Sequence, residues 1–131
     1  MSRNLVAIAA VLGMISVILG AFGAHTLKES LSAAQLVSFE TGVKYQMYHA
    51  LFLLLVGFSG QVSQKRKSVI GYLVVIGIIL FSGSIYLLST REITGIDIRS
   101  IAFITPIGGL LLIVSWLTLL IDAFRKNHKF A

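Results

Sequence analysis

Residues 5–24 read LVAIAAVLGMISVILGAFGA, twenty positions without a single charge. At ~1.5 Å of rise per residue, a helix of that length crosses the ~30 Å hydrocarbon layer of a bilayer. Backbone amides have no water to bond there, so only a helix or a closed barrel can span it. A barrel would need short segments that alternate with a period of two. Runs such as Ile76 to Phe81 and Leu110 to Val114 are apolar at successive positions and show no such alternation.

Three further charge-free stretches follow: Tyr45 to Gln64, Ser68 to Thr90 and Ser100 to Ile121. The sequence therefore predicts an all-α integral membrane protein, a four-helix antiparallel bundle forming a single transmembrane domain over residues 1–131. The crossings are expected at about 5–24, 43–62, 68–89 and 100–122. Composition agrees: of 131 residues 56% are hydrophobic and 12% charged, where a soluble domain carries ~25% charge. The N-terminal stretch is longer than the ~7 to 15 apolar residues of a signal-peptide core, so it is expected to stay as the first crossing.

Orientation follows from lysine and arginine, which are retained on the cytoplasmic side. Arg3, Lys65, Arg66, Lys67, Arg125, Lys126 and Lys129 fall on one face; Lys28, Lys44, Arg91 and Arg99 fall on the other, among the acids Glu29, Glu40, Glu92 and Asp97. The count places both termini inside. The net charge of +6 sits at helix ends with no aromatic-basic face, so it reads as topology and anionic-lipid contact, with no nucleic-acid partner. Without cysteine, disulfides and thiolate chemistry are excluded.

Between the first two crossings Ser32 and Gln35 form a capping-box pair. An amphipathic helix is expected to start there, with Leu36, Phe39 and Val43 on one face, and to lead from the outer interface into the second crossing. Gly42 is a candidate bend. Membrane helices associate through small residues and interhelical hydrogen bonds. Ala9, Gly13, Ser16, Gly20 and Gly23 recur at spacings of four and three, which puts them on one packing face. Gly77 with Ser84, and Gly108 with Ser115 and Asp122, repeat at seven and form further candidate seams, within one bundle or between copies in a homo-oligomer.

On this topology the polar side chains of the crossings gather in the outer half. His25 ends the first helix; Tyr45, Gln46 and His49 share a face of the second; Ser84 and Tyr86 lie late in the third; Thr105 opens the fourth. An ionisable group inside a membrane needs a partner, so His49 is either a functional group or a neutral ring hydrogen-bonded to Tyr86 or a backbone carbonyl. His25 and His49 could hold a metal or haem, but the sequence offers no third ligand beyond Glu40, and no metal or cofactor is expected. Glu40 and Lys44, four apart, suit a surface ion pair. Pro106 is read as a helix start; within a helix begun near Ser100 it would instead free backbone groups.

The blocks Gly20-Ala21-Phe22-Gly23-Ala24-His25, Phe39-Glu40-Thr41-Gly42 through Tyr48-His49-Ala50-Leu51, Leu80-Phe81-Ser82-Gly83-Ser84-Ile85-Tyr86 and Ile104-Thr105-Pro106-Ile107-Gly108-Gly109, with Trp116 beyond, resemble the small multipass proteins grouped as domain of unknown function 423. The mitochondrial transmembrane protein 256 is similar. The resemblance implies four helices in a bacterial plasma (inner) membrane and brings no activity, substrate or cofactor. A shared outer-leaflet site built from His25, Glu40, Tyr45, Gln46, His49, Ser84, Tyr86 and Thr105 is the resulting expectation. Its use would be in a non-enzymatic accessory role toward lipid or a protein partner. The alternatives are a small-solute or proton pathway in an oligomer, and a histidine-based metal or haem protein.

Overall fold

The computed structural model describes residues 1–125. Lys126 and Lys129, two of the charges in the topology count, lie outside the described residues. Those residues are all-helical, with no strand among them.

Helix α1 spans Arg3–Ser30, its first turn capped by the Ser2 hydroxyl, which accepts from the Leu5 N–H. Near its end, Gly23–Leu27 widens into a π turn. Helix α2 spans Ala33–Phe58 and opens with the full capping box of Ser32 and Gln35. Helix α3 spans Gln64–Ser89; Ser63 caps it and a second π turn lies at Ile79–Gly83. Helix α4 spans Ile104–Arg125. Between α3 and α4 a single turn, Arg91–Thr94, ends at Gly95, whose φ of 74° is the left-handed cap that glycine adopts without strain.

The caps explain where these bounds differ from the sequence expectation. Ser59 is extended and Ser63 already caps the next helix, so α2 stops at Phe58 and not near 62. A 3-10 turn at Arg99–Ile101 delays α4 to Ile104. Pro106 is then its third residue, where the absent N–H has no helical acceptor to miss. Gly42 lies inside continuous helix and marks no break.

Three helices, α1, α3 and α4, are long and apolar enough to cross a membrane. The exception is α2, diluted by Glu40, Lys44, Tyr45, Gln46 and His49. Yet one face of α2 is enclosed by the other helices: Gly42, Gln46, His49, Phe52, Leu53 and Val56 are all buried. Neighbours run antiparallel. Along α1 and α2, Ser2 donates to the Gly57 carbonyl (2.7 Å) while Gly20 meets Val43 and Gly23 meets Phe39. Along α2 and α3, Gly42 faces Tyr86; along α3 and α4, Gly77 faces Leu112 and Gly108.

The main apolar core, including Leu5, Leu53, Ile70, Val74 and Leu112, fills the end holding the N-terminus and the α2–α3 connection. A smaller cluster of Leu27, Leu31 and Phe39 closes the opposite end.

Candidate functional site

The polar residues of α2 work as bridges between helices. Gln46, 3% exposed, donates from Nε2 to the Leu12 carbonyl of α1 (2.9 Å) and accepts at Oε1 from the Tyr86 hydroxyl of α3 (2.7 Å). One amide therefore ties three helices, and both ends of its dipole are satisfied. The glycine at 42 makes the approach possible: a Cβ there would lie 2.8 Å from the Tyr86 ring. Its carbonyl accepts from the buried Ser82 hydroxyl (2.7 Å), a second tie between α2 and α3.

His49 ties α2 to α4. Its Nδ1 lies 2.7 Å from the Tyr45 carbonyl and its Nε2 accepts from the Trp116 indole N–H at 3.1 Å. A carbonyl only accepts and an indole only donates, so the ring is the neutral tautomer with its proton on Nδ1. Trp116 stacks on Phe52 with centroids 3.9 Å apart, which fixes the indole in place. Ser84 and Thr105 share a hydroxyl–hydroxyl bond that links α3 to α4, and Ser84 is also within reach of the Phe81 carbonyl.

Of the eight residues expected to form one site, the structure gathers Gln46, His49, Ser84, Tyr86 and Thr105 into these ties. Tyr45 contributes its carbonyl; the residue is 41% exposed, its ring beside Tyr48 and Phe81. His25 and Glu40 stand apart: both are exposed. The reason is periodicity. Gly23 and Leu27, four apart, take the inward face, so His25, halfway between them, points outward. Glu40 lines a shallow groove with Lys44, but no ion pair joins them among the described residues. Among the described residues no three His, Asp or Glu side chains converge as a metal site would require.

Packing residues sit where close approach demands small side chains. Ala9 and Ser16 are buried, Gly13 faces Ala50, and Gly20 and Gly23 meet α2. Gly77 and Gly108 bring α3 and α4 together backbone to backbone at the π turn, and Ser115 is fully buried.

For four residues the sequence supplied a position and no partner: Ser82 late in the third crossing, Asp122 on the fourth-helix seam, Lys67 in the charge count and Trp116 beyond the last family block. Trp116 and Ser82 complete ties already described; an indole N–H in an apolar segment needs an acceptor, which was the available signal. Lys67 is 2% exposed and donates from Nζ to the Gly57 carbonyl (3.2 Å). Asp122, 1% exposed, faces the Arg66 guanidinium at 3.6 Å. The end opposite the polar ties is therefore apolar in its core but carries buried charge at its rim.

The chain matches the model of a family described as "Protein of unknown function (DUF423)" over residues 19–109. It belongs to this family. Relatives include the UPF0382 membrane protein SSP2132 of Staphylococcus saprophyticus, 45% identical over 112 residues, or 86% of this chain and 89% of that protein. The UPF0382 inner membrane protein YgdD of Escherichia coli K12 is 36% identical over 132 residues, covering 98% of this chain and 95% of that one. No solved structure matches. This DUF423 protein is thus a multi-pass protein of the bacterial plasma membrane. The matched segment holds every tie described above except the Leu12 and Trp116 ends of two of them.

Proposed function

We propose that all four helices cross the plasma membrane as an antiparallel bundle with both ends in the cytoplasm, and that the protein is a non-catalytic accessory protein. It works through its outer surface, on lipid or on a neighbouring membrane protein. The observation that carries this reading is that the polar groups joining the helices are used up on one another; at the opposite end the buried Asp122 carboxylate has no hydrogen-bond partner and faces only the Arg66 guanidinium. A proton or solute route needs groups free to exchange partners; here Gln46, His49, Ser82, Ser84, Tyr86 and Thr105 each have theirs within the fold.

The same bonds weigh against cofactor ligation. The Nε2 lone pair of His49 is engaged by Trp116 and Nδ1 carries the proton, so binding a metal or haem would cost both bonds. Enclosure of one face of α2 by the other helices supports its assignment as the fourth crossing, because Gln46 and His49, the polar side chains deepest in its apolar stretch, are shielded from hydrocarbon by protein. Exposed apolar residues, such as Val17, Ile18 and Phe22 on α1, supply the outward surface.

Purified protein in sealed vesicles should give proton and small-ion flux equal to that of protein-free vesicles. Flux well above that background which His49→Ala abolishes would replace this reading with transport.

A further inference from the structure

A groove of about 360 Å³ runs between α1 and α3 at the end that holds the N-terminus. Its lining changes character along the helix axes. Asn4, in the first turn of α1, and Gln64 and Ser68, in the first turns of α3, present hydrogen-bonding groups at the mouth; Ile8, Tyr72 and Val75 line it one to three turns deeper. From Gln64 to Val75 the rise is ~17 Å, about the depth of one leaflet's share of the hydrocarbon. A cleft that is polar at the membrane rim and apolar below fits an amphiphile lying parallel to the helices. A soluble anion would leave the deeper half unused.

Charge selects the headgroup. The described basic residues at this end are Arg3, Lys65, Arg66, Lys67 and Arg125, and the one described acid, Asp122, already faces Arg66. Lys67 is buried on the Gly57 carbonyl. Arg3 and Lys65 are exposed and each adjoins a residue of the groove mouth, with no carboxylate among the lining residues to compete for them. The groove exists because the helices touch just beside it at a glycine: a Cβ on Gly71 would lie 2.7 Å from Leu5.

We propose that this groove seats one anionic glycerophospholipid, its phosphate held by Arg3, Lys65 and the Asn4, Gln64 and Ser68 side chains, and an acyl chain laid along Ile8, Tyr72 and Val75. This deepens the accessory reading and rests on it for the leaflet, which is the cytoplasmic one. Juxtamembrane basic residues attract anionic lipid even without a groove, so the test must separate a seat from a charged surface.

The full chain is purified in detergent and the lipid it retains is measured by native mass spectrometry, with dioleoyl phosphatidylglycerol and dioleoyl phosphatidylcholine supplied in equal amounts. One bound phosphatidylglycerol is expected, preferred at least tenfold. Arg3→Gln with Lys65→Gln should cut its retention at least fivefold, and so should Ser68→Trp, which fills the groove without changing charge; Val75→Trp is the second plug if Ser68→Trp loses its helical circular dichroism. Lys28→Gln with Arg91→Gln, at the opposite end, should leave retention unchanged. Equal retention of the two lipids overturns the proposal. So does loss on charge removal with both plugs silent, which would mean surface attraction only, or displacement of the lipid by glycerol phosphate, which would mean a soluble-anion site. Vesicle flux that depends on His49 would overturn the accessory role while leaving this binding result in place.

Discussion

At Tyr86 a single hydroxyl satisfies the Gln46 amide, whose other end holds α1. Tyr86→Phe should cost ~0.6 to 1.7 kcal/mol, the range of hydrogen bonds between membrane helices, read as a lower denaturation midpoint in detergent. Gln46→Leu should cost more, because it removes the bonds to both the Leu12 carbonyl and the Tyr86 hydroxyl, and the double variant should be less than additive. Trp116→Phe keeps the stack on Phe52 but leaves His49 Nε2 without its donor, so it too should lower the midpoint. Outside the membrane, Asp97 is gripped by the Arg99 guanidinium through three bonds, at 2.7, 3.0 and 3.1 Å, and by the Arg99 backbone N–H. These bonds hold its carboxyl down at about 2, below the ordinary 3.8. The pair is therefore complete above the ordinary value and is lost only as pH falls through about 2, which a carbon-detected NMR titration of Asp97 would show, with Arg99→Gln raising the midpoint toward the ordinary value. At this scale the sequence revealed which residues are polar and how deep they lie, and the outward turn of His25 was already implicit in the spacing of Gly23 and Leu27. The partners were not legible. A tie such as His49 with Trp116 joins positions 67 residues apart, and local spacing carries no information about which helices are neighbours.

Helices meet at two kinds of glycine, and substitutions should separate them. A Cβ on Gly108 would fall against the Phe81 backbone nitrogen and lie 2.8 Å from the Gly77 carbonyl oxygen. Backbone cannot step aside as a side-chain tip can, so Gly108→Ala should push α4 off α3 and destabilise by at least ~1 to 3 kcal/mol. At Gly13 the nearest atom to an added Cβ is Ala50 Cβ at 3.9 Å, an ordinary contact. Gly13→Ala should therefore be neutral or stabilise by up to ~1 kcal/mol through helix propensity. Thermal melts of the two variants in one detergent compare them directly. The seven-residue recurrence of Gly108 and Ser115 made the seam visible in the sequence, as did the stripe from Ala9 to Gly23. The π turns at Gly23–Leu27 and Ile79–Gly83 were not visible. One extra residue in a turn leaves no mark on composition, and only the packed partner, Gly108 against the second π turn, shows why the wider turn fits.

For the molecule as a whole, hydropathy and packing identify different helices. Length and apolarity single out α1, α3 and α4, because a lipid-facing helix must be apolar nearly all round. Helix α2 differs: Gln46 and His49 face the other three helices while Glu40, Lys44 and Tyr45 stay exposed, and the sequence shows only that the segment is less apolar. The charge pattern supports the proposed orientation, and the ties explain why the polar half needs no water. Whether α2 crosses is decided at Gln61, in the short α2–α3 connection. The chain has no native cysteine, so single-cysteine variants can be labelled in intact cells with a membrane-impermeant maleimide. Lys28→Cys and Ile96→Cys should react from outside, and Gln61→Cys only after the membrane is permeabilised. Labelling of Gln61→Cys in intact cells as readily as Lys28→Cys would mean that α2 returns to the side it came from, contrary to this account.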